Sequence, residues 1–449
     1  MTILFMSIPL LLPFLSLLLL LFSFFFQWRA PKVVNPGPTS FPVIGCLVAF
    51  YKNRRRLLDW YTDMLSVSPT QTIIVSRFGA RRTIVTANPQ NVEYMLKTNF
   101  TNFPKGKPFT EVLGDFLGNG IFNADGDLWY TQRKSVTHLF TNRSLRDYVE
   151  NVLKEDVEKK LLPLLESAAE EVEGKSLDLQ DLLRRLAFDL VCKFSLGFDP
   201  CCLDYHSLDT PHPVLEAFDV ASDMCARRGA APLSAMWRVK RFFDIGSERR
   251  LREAVCRIHL FINEVVGEKK RKLATGCSNT GLIDQSSTES DDLLSKILLD
   301  DKGEEVVRDI MISFIMAENE VVRELTLVEN DANLSNYESL KELRFLKACI
   351  CESMRLFPPV AWDSKHAITD DFLPDGTQVR TGDRVTYFPY GMGRMEDLWG
   401  QDQLEFKPER WISKLEEGRR IKALKNVGPY KFPSSRSVPW QRNGFHSNT

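Results

Sequence analysis

The chain has 449 residues, enough for two or three average domains or for one large enzymatic domain. With 44% hydrophobic residues, 30 Phe and a formal net charge of -1, it can build a large core. Nothing in that balance points to disorder, to nucleic acid or to a strongly acidic partner, and charge leaves the substrate open.

Ile3 to Phe26 runs 24 residues without a charge, and at about 1.5 Å rise per residue it crosses a ~30 Å hydrocarbon core. Residues 1–28 are therefore predicted to be a transmembrane anchor. Trp28, Arg29 and Lys32 supply an interfacial aromatic and a positive flank that favour a cytosolic placement of the downstream chain. A cleaved signal peptide fits less well, because no basic residue precedes the run and Phe-Phe-Phe-Gln-Trp is a poor cleavage sequence. Prolines 31, 36, 38 and 42 then stiffen residues 29–45 into a linker.

Two β-branched runs around Gly79, within Thr70 to Ala87, predict a hairpin. From about Asn91 to Leu346 apolar residues recur three and four apart, as in Val152 to Glu173, which predicts helices. Cys277 to Asp291 reads as a polar surface loop, and Leu373 to Gly393 as short extended pieces and turns. No internal repeat is present. The expected fold is mainly α with a small β portion. Nine cysteines, at 46, 192, 201, 202, 225, 256, 277, 349 and 351, show no CxxC pair and no framework spacing, which suits reduced thiols. Asn99-Phe100-Thr101 and Asn142-Arg143-Ser144 match the glycosylation acceptor pattern, and both are read as chance matches in a cytosolic domain.

Glu352 and Arg355 stand three apart on a helical stretch, a spacing shared by Glu268/Arg271, Glu305/Arg308, Glu320/Arg323, Glu416/Arg419 and Glu417/Arg420. Spacing alone predicts surface pairs of about 0.2 to 0.5 kcal/mol. Trp129 and Arg133 stand four apart, so one helical face carries both, and they could meet one bound anion or simply pack ring on stem.

Context separates Glu352/Arg355 from the other pairs. Leu356-Phe357-Pro358-Pro359 comes next, then Tyr390 to Trp411, "YGMGRMEDLWGQDQLEFKPERW". Through these motifs the chain resembles the cytochrome P450 superfamily of haem-thiolate monooxygenases, and within it the plant fatty-acid omega-hydroxylases, over nearly all of residues 1 to 433. The resemblance implies a cytochrome P450 fold over residues 46–433, with haem as cofactor. It further implies an NADPH-cytochrome reductase as electron donor and a fatty acid, or a related acyl substrate such as a jasmonate conjugate, hydroxylated near its methyl end. It places the chain at the endoplasmic reticulum membrane, with the lipid bilayer as a partner. Carried onto this sequence, it implies a buried network of Glu352, Arg355 and Arg410, and a haem propionate held by Trp129 and Arg133, with Lys365 or His366 near the other propionate. Phe103 to Phe122 reads as a Gly-rich aromatic loop over the substrate, or as core.

Two departures from the family pattern bear on activity. Val306 to Ala317, "VVRDIMISFIMA", resembles the first half of the helix that crosses the haem, which in the family continues Gly-x-Asp/Glu-Thr-Thr/Ser. Here Ala317 is followed by Glu318-Asn319-Glu320, so roughly two dozen residues are expected to be missing, about seven helical turns. A fold bridging that join would be incomplete, with a void in its core. The second departure lies near the end. After Tyr430-Lys431-Phe432-Pro433 the family has a cysteine loop, whereas residues 434–449 read "SSRSVPWQRNGFHSNT", with Gln441-Arg442-Asn443 where the cysteine falls. Cys349 and Cys351 lie on the helix of the Glu352 network, and His446 would not supply a thiolate's electron push. No catalytic residue is therefore assigned as intact, and no metal ligand is assigned. The expectation is a spliced or frame-altered product with no haem chemistry.

Overall fold

The computed structural model describes residues 37–137, 152–170, 177–204, 210, 212–231, 236–276, 293–299, 303–325 and 344–412. The predicted anchor at 1–28, linker residues 29–36, the polar stretch 277–291, Asn142 and the 434–449 tail lie outside them. No helix among the described residues is long and apolar enough to cross a membrane. The chain divides into two compact units.

The first unit takes in Met1–Pro104, Ala230–Met236 and Val360–Leu404. The predicted hairpin is β1 (Thr72–Val75) and β2 (Thr83–Thr86), antiparallel with Val75 opposite Thr83. All eight positions are Thr, Ile or Val, whose β-branched side chains suit a pleated surface. Strands β5 (Gln378–Val379) and β6 (Arg384–Tyr387) come from the region read as extended pieces, and β3 (Asp363–His366) and β4 (Asp371–Phe372) precede it. The four-stranded sheet has the order β1-β2-β6-β3, with β6 parallel to β2 and antiparallel to β3, while β4 and β5 pair separately. Asn99 is engaged in this unit: its Nδ2 donates to Asp371 Oδ2 at 2.9 Å and to the Tyr94 hydroxyl at 3.3 Å.

The second unit, Lys105–Gly229, Trp237–Pro359 and Glu405–Thr449, is helical among its described residues. Its Leu179–Leu196 helix shows how local chemistry sets the ends. Asp178 caps the start by accepting the N–H groups of Gln180 and Asp181 at 2.9 and 3.1 Å, and Gly197 ends it with φ of 63°. Leu186, Phe188 and Val191 of this helix are buried, and the helix packs on Glu304–Leu325, whose Val307, Ile310, Met311, Phe314 and Ile315 are buried too. The Pro213–Gly229 and Ser247–Gly276 helices pack against each other beside them.

Two stretches singled out in the sequence take definite form in the structure. Phe103 to Phe122 is not a loop throughout: Gly106 (φ 75°) and Pro108 open a helix at Lys107–Leu117 that Gly118 (φ 49°) closes. Pro pre-sets the helical φ at a first turn, and the two glycines take up the left-handed angles on either side. Phe103, Phe116 and Leu117 are buried, which is the core alternative for those residues. The helix that begins at Glu304 runs as one helix across Ala317 and Glu318 to Leu325. Glu, Arg and Leu are good helix formers, so the residues after Ala317 continue the helix.

That central helix holds a turn of the chain by close approach. Asp309 accepts the Asn119 N–H at 2.8 Å, and a Cβ built on Gly120 would overlap the Ser313 hydroxyl and the Asp309 carbonyl. Gly120→Ala forces backbone apart at this seam and is expected to lower stability by about 1 to 3 kcal/mol. Gly126→Ala, where a Cβ meets nothing although φ is 59°, is the control for backbone strain alone, and denaturant midpoints of the two separate overlap from strain.

Candidate functional site

The Arg344–Leu356 helix brings Glu352 and Arg355 to one side, three residues apart, and the Pro408–Trp411 turn packs against that helix. Arg355 grips the carboxylate with two bonds, Nε to Oε2 and Nη2 to Oε1, both 2.8 Å. Arg410 Nε donates to Oε1 at 2.8 Å. Both side chains of the Glu352–Arg355 pair are 0% exposed. The structure thus brings Glu352, Arg355 and Arg410 together.

Sequence reasoning missed three further members. The Lys407 N–H donates to Glu352 Oε1 and the Trp411 indole N–H to Oε2, both at 2.9 Å, and the Glu405 carbonyl accepts from Arg355 Nη2 at 3.0 Å. Trp411 carried a usable signal, since a buried indole has one donor that needs an acceptor. The backbone groups carried none. Burial works to raise the Glu352 pKa, but the bonds from Arg355, Lys407, Trp411 and Arg410 outweigh it and hold the carboxyl below its usual range.

Trp129 and Arg133 lie on the Gly126–Thr137 helix, with the guanidinium 4.9 Å from the indole centroid. The Lys105 ammonium stands 5.9 Å from the same ring and donates to the carbonyls of Ile121 and Ala124 at 3.3 and 2.5 Å. Burial pushes the Arg133 guanidinium below its ordinary pKa, and a desolvated cation favours an anion. Gln132, buried on the same helix, donates to the Asn119 carbonyl at 2.7 Å, which ties this helix to the turn held by Asp309. In the first unit, Lys365 and His366 are buried on β3. Lys365 pairs with Asp363 at 3.0 Å, and the His366 N–H donates to the Pro104 carbonyl at 2.8 Å.

A cavity of about 650 Å³ in the second unit is lined by Glu111, Asp115, Trp237, Arg238, Arg241 and Phe242. It shares no residue with the Glu352 network or the Trp129 helix, and its Arg238–Glu111 and Arg241–Asp115 pairs, at 2.6 and 2.9 Å, pair those charges with one another.

The family model for cytochrome P450 matches this chain over residues 35–317 and again over 316–426. Cytochrome P450 94B1 of Arabidopsis thaliana is 50% identical over 442 residues, covering 94% of this chain and 84% of the relative. Cytochrome P450 94B3 of the same plant is 49% identical over 95% of this chain and 87% of its own length. Cytochrome P450 94A1 of Vicia sativa is 39% identical over 84% and 75%. The chain belongs to the cytochrome P450 family.

That family implies haem, and the described residues fit it unequally. Trp129 and Arg133 offer an aromatic ring and a desolvated guanidinium suited to a propionate. The stretch in which the family's cysteine falls, 434–449, lies outside the described residues. No reaction step is derived through the group.

Glu352→Gln leaves Arg355 and Arg410 buried without their counter-charge and is expected to cost about 3 to 5 kcal/mol. The sign with pH comes from the depressed pKa. Ionised Glu352 contributes its full stability above the ordinary value of 4.5, and that contribution is lost as pH falls through the lower folded value. In denaturant titrations, the parent is expected to lose stability below about pH 4.5 more steeply than Glu352→Gln, whose neutral amide does not titrate.

Proposed function

We propose that this chain is a membrane-tethered relative of the fatty-acid omega-hydroxylases that keeps the family's scaffold and lacks its haem-dependent oxygen chemistry. The observation that carries this reading is the helix Glu304–Leu325, which passes from Ala317 into Glu318-Asn319-Glu320 with no glycine and no threonine. In the family the glycine makes room for dioxygen and the acid and alcohol relay protons to it. The two matches to the family model meet at residues 316–317, which supports an interruption at the same place. The residues that would ligate haem iron belong to the 434–449 region, which reads Gln441-Arg442-Asn443 at the expected position. The anchor at 1–28 supports an endoplasmic reticulum membrane setting.

A working monooxygenase is the second reading, favoured by the complete Glu352, Arg355 and Arg410 network and by the pairing of Trp129 with Arg133. In it the network clamps the Arg344–Leu356 helix to the segment approaching the haem, Trp129 and Arg133 orient the haem through a propionate, and thiolate-ligated haem supplies dioxygen activation. An NADPH-cytochrome reductase supplies electrons, and the substrate is a long-chain fatty acid or a related acyl compound.

The two readings part in a carbon-monoxide difference spectrum of the reduced 449-residue protein in membranes. The expected outcome is no long-wavelength Soret band of the kind a thiolate-ligated ferrous haem gives, with the Arabidopsis relative as positive control. A full-height band would overturn the non-catalytic reading and restore the hydroxylase.

A further inference from the structure

Three arginines of the first unit gather at one end of its four-stranded sheet. Val75, Thr83 and Arg384 stand in register on β1, β2 and β6, so their side chains share a face. Arg77 lies two residues beyond Val75 and Arg81 two residues before Thr83, and the period of two returns both to that face at the closed end of the hairpin. Tyr61 is buried, and its hydroxyl lies within electrostatic reach of Arg77 and Arg384.

These cations have no acidic partner among the described residues. Arg77 lies 3.9 Å over the Phe50 ring and makes one long hydrogen bond, 3.5 Å to the Ala231 carbonyl. Arg81 donates to the Gly382 carbonyl at 3.2 Å. Arg384 makes no side-chain hydrogen bond or ion pair among the described residues, and its Nε is sealed from solvent without an acceptor. The adjoining carboxylate is committed elsewhere, since Asp383 pairs with Arg82 and accepts the Arg380 N–H at 2.8 Å. Burial lowers the Arg384 pKa and the neighbouring Arg77 and Arg81 lower it further, as expected of a cation held without its counter-ion. Burial also pushes Tyr61 up to about 12, which keeps its hydroxyl a donor.

Arg384 is half-buried, and a guanidinium Nε sealed from solvent without an acceptor is costly, so native structures pair such an atom or bind an anion beside it. The surroundings narrow the anion. Gly45 bridges Arg77, and the Phe78 N–H donates to the Ile44 carbonyl at 3.2 Å, so the Phe41–Gly45 turn sits beside the arginines. That turn and the hairpin tip expose Phe41, Val43, Ile44 and Phe78, with Val43 70% and Phe78 54% exposed. Cations that need an oxyanion thus stand next to apolar side chains that need cover.

We propose that Arg384, Arg77 and Tyr61, with Arg81 at the rim, bind the oxyanion head of an amphiphile, a carboxylate or phosphate ester carried on an apolar chain. The site is independent of haem and of whether the chain is catalytic, so it can be tested without turnover.

The test uses the full chain in nanodiscs of uncharged lipid, comparing parent, Arg384→Met, Arg384→Lys and Arg77→Gln. Binding of monomeric dodecanoate is measured by equilibrium dialysis, phosphatidic acid is added to the nanodisc lipid with the melting temperature as readout, and inorganic phosphate serves as a probe without a chain. At least one amphiphile is expected to bind and raise the melting temperature. Arg384→Met and Arg77→Gln weaken it about tenfold or more, the loss of one charge-assisted hydrogen bond, and Arg384→Lys weakens it less. Without ligand, Arg384→Met should melt no lower than the parent, because it removes a half-buried cation whose sealed Nε has no acceptor. Dodecanoate binding alone identifies a free acyl carboxylate, and a response to phosphatidic acid alone identifies a membrane headgroup. The proposal is overturned if neither binds, if the variants bind as the parent does, if inorganic phosphate binds as tightly (an adventitious ion only), or if Arg384→Met melts lower without ligand, which would make Arg384 a structural residue. Should Arg384→Met fail to fold, Arg77→Gln at a half-exposed position still decides the binding result.

Discussion

The carboxylate of Glu352 is the constraint on which the helical unit depends. A full charge at 0% exposure is tolerable only when donors surround it, and here they come from two stretches of chain some fifty residues apart. Arg355 is local to the helix, while Lys407, Arg410 and Trp411 arrive from the Pro408–Trp411 turn and the residue before it. Neither stretch can bury its polar groups without the other, so the Arg344–Leu356 helix and the 405–411 segment form as one piece. The Glu405 carbonyl, accepting from Arg355, ties the same two stretches a second time.

A second buried acid repeats the logic with a backbone donor. Asp309, on the central helix, accepts the N–H of Asn119 and also two bonds from its neighbour Arg308 at 3.2 and 3.0 Å. Glycine on either side of Asn119 allows that approach. Gln132 then carries the connection on to the helix of Trp129 and Arg133. The first unit shows the opposite case: at the end of its sheet, guanidiniums are gathered with no acid among the described residues to meet them. The same principle that makes Glu352 a clamp makes Arg384 a charge that an outside anion can balance.

Elements whose causes are local were legible in the sequence. The β1–β2 hairpin comes from β-branched runs around Gly79, and helical periodicity places most of the second unit. The Lys107–Leu117 helix was missed because its aromatic and glycine content suggests a loop, whereas its start depends on Gly106 and Pro108. Spacing alone also misled among the charged pairs. Glu305/Arg308 matches Glu352/Arg355 in sequence, yet Arg308 bonds Asp309 instead. What singled out Glu352 was resemblance to a family, not its spacing.

The sequence by itself determined the family, the residue types able to form the Glu352 and Trp129 constellations, and which residues follow Ala317, because identity and order are one-dimensional facts. Only the tertiary structure decided that the helix runs unbroken from Glu304 to Leu325, that Lys407 and Trp411 complete the ring of donors, and that Arg77 and Arg81 come within electrostatic reach of Arg384. Those outcomes depend on strand register and on which buried groups find partners. Both are set by contacts between residues tens to hundreds of positions apart, so no window of sequence contains them.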